Sequence, residues 1–292
     1  MPFIDSHDDT LLFVKDWGRG RPVILMHGWP LSADTFDDLG MAIADAGMRA
    51  IAYDRRGFGR SEHPWGGYDY DSLSDDLAAV MDAVNVENAT LIGFSMGGGE
   101  VARYMSRHEG ANVDQCVLIS TVLPFMMRTT DNPTGVDPSV FEQMAGEMRS
   151  DRAHFWRSFF KDFYGMGMIT HQASDEIVHW SAALAMQASL KATLACAESF
   201  ASTDFRPDLS AFRVPTLVIH GTSDKIVPID SSSRLTSRAI PNAQLIEYDG
   251  APHGLLATHK QQLKDDVLDF LSHHQVTERR AARLNGPDML GL

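Results

Sequence analysis

The stretch Thr90-Leu91-Ile92-Gly93-Phe94-Ser95-Met96-Gly97-Gly98-Gly99 decides how the rest of the chain is read. An apolar run with a β-branched start enters G-x-S-x-G, and a helical pattern follows at once. That order places a serine on a sharp strand-to-helix turn, its hydroxyl raised above the end of a sheet. Such a turn crowds the backbone, so the positions two before and two after the serine must be nearly free of side chain. Gly93 and Gly97 meet that demand, and Gly98 and Gly99 let the helix pack closely on the strand.

Working outward from this turn, apolar, β-rich runs recur at 11–17, 23–26, 50–53, 90–94, 116–121, 216–220 and 244–248. Most are near-continuously apolar, as strands covered on both faces of a parallel sheet are. Helical patterns lie between them, such as 72–84 with Leu73, Leu77, Val80, Met81 and Val84 on one face. The alternation predicts an α/β chain with a mostly parallel, doubly wound sheet. The first two runs are separated only by Gly18-Arg19-Gly20-Arg21 and are expected to form an antiparallel edge pair.

The rhythm breaks over 124–214, far too long for an ordinary connection. This segment is helical in pattern and rich in methionine and aromatic residues. It predicts an inserted helical cap above the carboxyl ends of the strands, dividing the chain into core (1–123 and 215–272), cap (124–214) and a tail (273–292). Most of its large side chains are cap core. Phe125, Trp156 and Phe160 are candidates to line an apolar pocket facing Ser95. The tail, ending Met289-Leu290-Gly291-Leu292, reads either as a frayed end or as an arm packing on a neighbouring subunit of a homo-oligomer.

The chain has 292 residues, with 25 basic against 39 acidic and a formal net charge of −14. That balance argues against nucleic acid or an anionic membrane as a partner. No apolar run approaches the ~18 residues of a membrane span. Asp5, Asp8 and Asp9 stand where a signal peptide would be basic and then apolar, so a soluble, cytoplasmic enzyme is the expectation. Cys116 and Cys196 lie in apolar surroundings and read as reduced core thiols. Nothing has metal-ligand spacing or a dinucleotide fingerprint, so no metal and no cofactor is expected.

A serine hydroxyl is a poor nucleophile at neutral pH and needs a base, and the base needs a group to orient it. For a serine on this kind of turn, the chain order is serine, acid, histidine, with the partners on loops after late strands. Asp224 follows the 216–220 run, and His253 lies in Gly250-Ala251-Pro252-His253-Gly254 after the last one. Asp230 reads as the cap of the next helix and Asp249 as a strand-end turn residue. His259, His273 and His274 lie in or after the last helix, whereas His27 and His220 end strands and read as hydrogen-bonded supports of their loops. A developing oxyanion needs fixed donors. The N–H of Met96, at a helix start, is one; the N–H of Trp29, in His27-Gly28-Trp29-Pro30, is the other. The glycine-rich run Asp54-Arg55-Arg56-Gly57-Phe58-Gly59-Arg60-Ser61 lacks P-loop spacing and reads as a structural turn held by Asp54 and an arginine.

Together these segments resemble the α/β-hydrolase family, and within it the branch of cofactor-free bacterial haloperoxidases, perhydrolases and aryl esterases. The resemblance spans about 11–271 and rests on five segments. They are His27-Gly28-Trp29-Pro30-Leu31-Ser32, the run from Tyr53 to Ser61, Gly93-Phe94-Ser95-Met96-Gly97-Gly98-Gly99-Glu100, Ser202-Thr203-Asp204-Phe205-Arg206 with Asp208-Leu209, and the His253 loop. It implies an α/β-hydrolase fold with a helical cap, a Ser95–Asp224–His253 triad, and Trp29 and Met96 backbone donors. The activity implied is hydrolysis of small, largely apolar carboxylic esters, with hydrogen peroxide able to replace water and give a peracid. Halide oxidation would then be a secondary reaction needing no haem. Pro30, with its own φ fixed and its neighbour biased to extended backbone, would direct the Trp29 carbonyl toward an attacking peroxide. The rival readings are cleavage of a lactone or carbon–carbon bond by the same triad, and a catalytically idle ligand receptor on the same fold.

Overall fold

The computed structural model describes residues 2–167 and 172–284, with 273–284 described by backbone alone. Its strands are β1 (Phe3–Asp5), β2 (Leu11–Gly18), β3 (Pro22–Met26), β4 (Arg49–Tyr53), β5 (Ala89–Phe94), β6 (Val113–Ile119), β7 (Thr216–Gly221) and β8 (Gln244–Tyr248). They form one sheet in the order β1-β2-β4-β3-β5-β6-β7-β8, parallel from β4 to β8. Every residue of β3, β5 and β7 is buried, as the continuous apolar runs required. This is the α/β-hydrolase architecture.

The edge differs from the expectation. β2 does not pair with β3; it pairs antiparallel with β4, Val14 opposite Tyr53 and Gly18 opposite Arg49, and with β1 on its other side. Burial decides this arrangement. β3 is covered at all five positions and needs strands on both sides, whereas β2 buries only Leu12 and Val14 and suits a place near the edge. Gly18 and Gly20, at φ 77° and 115°, carry the chain across β4 instead of folding it back as a hairpin.

The helices are α1 (Asp37–Asp45), α2 (Tyr70–Ala83), α3 (Met96–Arg107), α4 (Pro138–Phe163), α5 (Asp175–Gln187), α6 (Leu190–Ser202), α7 (Ser233–Ala239), α8 (Leu255–Thr258) and α9 (Lys260–Leu284). The 72–84 pattern is α2, capped by the Asp69 carboxylate on the Ser72 N–H and burying Leu73, Leu77, Val80 and Met81. Backbone helix continues through 273–284, and the apolar ending 285–292 lies outside the described residues. Among the described residues no helix is long and apolar enough to cross a membrane.

Between β6 and β7 come α4, α5 and α6, with isolated bridges at Met127–Val136 and Thr129–Asn132 but no strand among the described residues. α4 is broken at Asp151 (φ −148°, ψ 86°), whose carboxylate accepts the His154 N–H at 2.9 Å and so caps the second half. That half lies over the carboxyl ends of the strands. The Phe163 carbonyl takes the Gly254 N–H at 2.9 Å, and the Trp29 indole donates to the Thr193 carbonyl of α6 at 3.0 Å.

The 54–61 turn is structural, as expected. Asp54 accepts the Ala33 and Arg60 N–H groups at 2.8 Å each and the Arg60 Nε at 2.7 Å. Both cysteines are buried free thiols, and burial pushes Cys196 up to about 12. They are inert at neutral pH.

Candidate active site

Ser95 stands between the end of β5 and the start of α3, with φ 54° and ψ −116°. A non-glycine residue there is strained by about 1–3 kcal/mol, and the surrounding bonds must hold it. Its N–H donates to the Ile119 carbonyl at 2.8 Å, and its carbonyl accepts the Gly98 N–H at 3.0 Å. A Cβ at Gly93 would stand 2.5 Å from the Gly97 carbonyl oxygen, which is the physical content of the G-x-S-x-G spacing.

Three side chains from three loops meet here. Ser95 Oγ is 2.9 Å from His253 Nε2, and His253 Nδ1 is 2.6 Å from Asp224 Oδ2. Asp224 leaves the end of β7, and His253 sits on the loop after β8. With the carboxylate facing Nδ1, that nitrogen carries the proton, and Nε2 is left as an acceptor for the Ser95 hydroxyl. The His253 backbone is pinned by the Ser120 hydroxyl on its carbonyl at 3.2 Å. Its ring lies 4.7 Å from Phe163 and 5.3 Å from Phe94, centroid to centroid.

Asp224 is fully engaged. Oδ1 accepts the Ile226 and Val227 N–H groups at 2.8 Å each, and Oδ2 faces both His253 and His220 Nε2, the latter at 3.0 Å. Burial opposes its ionisation, but His253 and His220 outweigh burial and hold the carboxyl well below the ordinary carboxylate range. His220 is therefore more than a support of its loop. It touches the acid directly, with its Nδ1 2.6 Å from the Ser233 hydroxyl and its Nε2 2.9 Å from the Val227 carbonyl. Its place four residues before Asp224, at the end of β7, was the available signal. Asp230 proves not to be a helix cap: it is exposed and pairs with Arg234 at 2.6 Å, while α7 starts after Ser232.

Gly28 packs directly on the nucleophile, since a Cβ there would stand 3.1 Å from the Ser95 Cβ and 2.8 Å from the Phe94 ring. Trp29 and Met96 are both buried, and among the described residues no protein acceptor takes either backbone N–H. Both donors are left without a protein acceptor on the loops that flank Ser95.

The Trp29 ring meets Trp156 at 5.1 Å, Phe159 at 5.5 Å and Phe200 at 5.4 Å, all edge-on. Trp156 and Phe160 are wholly buried; Phe160 stands one ring back, 5.4 Å from both Phe159 and Phe163. Phe125 is buried under the Arg206 guanidinium at 5.4 Å. Phe163 of α4 reaches the catalytic His253, while Trp156 and Phe159 of α4 and Phe200 of α6 meet the Trp29 ring. A 490 Å³ groove lies on the other face of α6, lined by Trp65, Met127, Phe141, Lys191, Leu194 and Ala201. Phe200 stands between it and Trp29, 6.2 Å from Phe141, so the groove is separate from the serine.

A family profile described as the alpha/beta hydrolase fold matches residues 21–260. A non-heme chloroperoxidase of Kitasatospora aureofaciens is 38% identical over 276 residues, 93% of this chain and 100% of the relative. A bifunctional esterase/perhydrolase of Acinetobacter calcoaceticus is 36% identical over 274 residues, 93% of this chain and 99% of the relative. The crystal structure of a bromoperoxidase from Bacillus anthracis has a TM-score of 0.89 at 40% identity, covering 92% of this chain and 99% of that one. The chain therefore belongs to the alpha/beta hydrolase fold family.

Proposed function

We propose that the protein is a serine hydrolase of small, largely apolar carboxylic esters, working through an acyl-enzyme on Ser95, and that hydrogen peroxide can replace water in the second half of the reaction. The observation that carries this is the unbroken chain from Ser95 Oγ to His253 at 2.9 Å and on to Asp224 at 2.6 Å, beside two free backbone donors. Ser95 Oγ attacks the ester carbonyl carbon as His253 Nε2 takes its proton. The oxyanion is held by the Trp29 and Met96 N–H groups. His253 then gives the proton to the leaving alcohol, and the acyl group stays on Ser95. Water returns a carboxylic acid by the reverse sequence, and hydrogen peroxide returns a peracid. A peracid that leaves the site oxidises halide in solution, transferring one oxygen and reverting to the acid. That is how the chloroperoxidase and esterase/perhydrolase names of the relatives fit one site. Turnover of p-nitrophenyl acetate and labelling by a fluorophosphonate test the reading. A folded protein that does neither would overturn it.

Phe159 and Phe163 form the acyl-side wall in this reading, and the wholly buried Trp156 packs on Phe159 at 5.9 Å. Phe159 is only partly buried, so Phe159→Ala is expected to move the preferred acyl length upward with little loss of stability. Trp156→Ala, at a site with no exposure, is expected to cost about 3–5 kcal/mol of stability instead. Thermal melts beside an ester panel of rising chain length separate the two effects. A flat ester profile in Phe159→Ala would place the wall elsewhere.

Pro30 is assigned the peroxide preference. A Trp29 carbonyl aimed at the acyl-enzyme accepts a hydrogen bond from the peroxide O–H and gains less from water. Replacing Pro30 by leucine lifts the bias on the Trp29 backbone and frees the φ of residue 30, which together set this direction. A preference of about 1–2 kcal/mol corresponds to a ratio of roughly five- to thirty-fold, which Pro30→Leu should lose. Peracid formation from methyl acetate and hydrogen peroxide, measured beside hydrolysis, reads the ratio. An unchanged ratio in a folded variant would remove Pro30 from the account and leave the esterase.

A further inference from the structure

Trp156 lies on the second half of α4, the half restarted by the Asp151 cap, and it is wholly buried. The spacing of Trp156, Phe160 and Phe163 puts three large rings on one buried face of that helix. Rings surround the indole: Phe155 at 4.7 Å, Trp29 at 5.1 Å, Phe159 at 5.9 Å and Phe160 at 6.2 Å, centroid to centroid. A buried tryptophan ordinarily gives its N–H to an acceptor. Trp29 does so, donating to the Thr193 carbonyl at 3.0 Å. Trp156 does not: among the described residues its Nε1 has no hydrogen-bond partner.

A donor left unpaired in the interior destabilises the fold unless an acceptor reaches it from elsewhere. Water fits poorly, because a buried water needs several polar partners and the groups packed on this indole are aromatic rings. Ring faces are weak acceptors beside an oxygen. The surroundings also select the kind of oxygen. A carboxylate or phosphate would lose its water for a single neutral donor. A hydroxyl would take the indole proton and leave its own unpaired. An oxygen that only accepts, in an ether or a ketone, has neither fault. Such an oxygen has a natural source. Trp29, Phe159 and Trp156 form a triangle of rings, with centroids 5.1, 5.5 and 5.9 Å apart. Trp29 carries an oxyanion donor and Phe159 belongs to the acyl-side wall, so an acyl chain laid along them from Ser95 runs toward the indole.

We propose that Trp156 is a specificity-determining residue whose indole N–H donates to an acceptor-only oxygen in the acyl chain, so that the site takes alkoxyacyl or oxoacyl esters in preference to alkyl esters of the same length. This rests on the reading of Ser95 as nucleophile and names the acyl class for that site. The phenyl rings of the wall grip hydrocarbon by area and have no donor to tell an ether oxygen from a methylene. The indole has one, and a placed polar group separates two substrates of equal size where an apolar surface cannot. The preference should therefore appear at one depth along the chain, where the oxygen meets Nε1, and not at the others.

The test uses p-nitrophenyl esters in pairs of equal length: methoxyacetate with butanoate, 3-methoxypropanoate with pentanoate, and 4-methoxybutanoate with hexanoate. The kcat/KM ratio within each pair is measured for the parent and for Trp156→Phe, which keeps a ring and removes the donor. What the smaller ring does to packing is felt by both esters of a pair, and the ether's own reactivity is the same for both proteins, so neither survives the comparison of ratios. At one depth the parent's ether-to-alkyl ratio is expected to exceed the variant's by roughly three- to tenfold. Equal ratios at every depth would overturn the proposal. A second measurement needs no variant: the indole N–H resonances of the parent carrying alkoxyalkyl or alkyl phosphonates on Ser95. One indole proton should move downfield only in an alkoxyalkyl adduct, and matching spectra for both sets would overturn the proposal even if Trp156→Phe fails to fold. A parent with no Ser95-dependent turnover of the alkyl esters would instead sink the nucleophile reading, so the two failures are distinct.

Discussion

Ser95→Ala is expected to lose about 10⁴-fold or more in kcat on p-nitrophenyl acetate while keeping the parent's fold. The hydroxyl is the only group removed. The turn is held by the Ser95 N–H on Ile119 and its carbonyl on Gly98, and neither bond involves the side chain. Alanine keeps the strain of φ 54°, so its stability should stay close to the parent's. Ser95→Gly, which removes that strain, should be equally inactive but more stable, by about 1 kcal/mol. Circular dichroism and thermal melts check the fold, and steady-state kinetics check the loss. Near-normal turnover in a clean Ser95→Ala preparation would contradict the assignment.

Asp224→Asn is expected to lose about 10⁴-fold in kcat with substrate binding nearly intact. The loop dictates why. The Ile226 and Val227 N–H groups both point at one oxygen of residue 224, so an asparagine must place its carbonyl there. Its NH₂ then faces His253 Nδ1 and His220 Nε2. A donor aimed at Nδ1 selects the tautomer with the proton on Nε2, which cannot accept the Ser95 proton. His253→Ala should be similarly damaging, and the double variant little worse than either single one, because the two side chains act as a unit. Fully additive losses would show that they do not. A mild effect at Asp224 would likewise contradict the assignment.

Much of this was legible in the sequence because backbone demand and chain order leave few choices. The elbow at Ser95 needs glycine at 93, and a Cβ there would meet the Gly97 carbonyl. The strands buried on both faces announced themselves as continuous apolar runs. Asp224 stood out because it follows such a run, and His253 because it follows the last strand, β8. The edge was misread because short loop length favours a hairpin locally, while the pairing of β2 with β4 is set by burial across the sheet. The contact of His220 with Asp224 depends on the curl of the loop between them, which no periodicity encodes. On α4 the sequence offers neighbouring turns of aromatics, Trp156 with Phe160 and Phe159 with Phe163. Only the angle at which the helix settles on the sheet puts Phe163 against His253 and buries Phe160 behind it.

The central claim is that the acyl group is carried by Ser95. The direct measurement is acid-quenched peptide mass spectrometry of the protein caught during turnover of p-nitrophenyl acetate. The account predicts one acetyl adduct, on the peptide that contains Ser95, formed before steady state and discharged faster when hydrogen peroxide is added. An adduct on another residue, or steady turnover in Ser95→Ala, would contradict it.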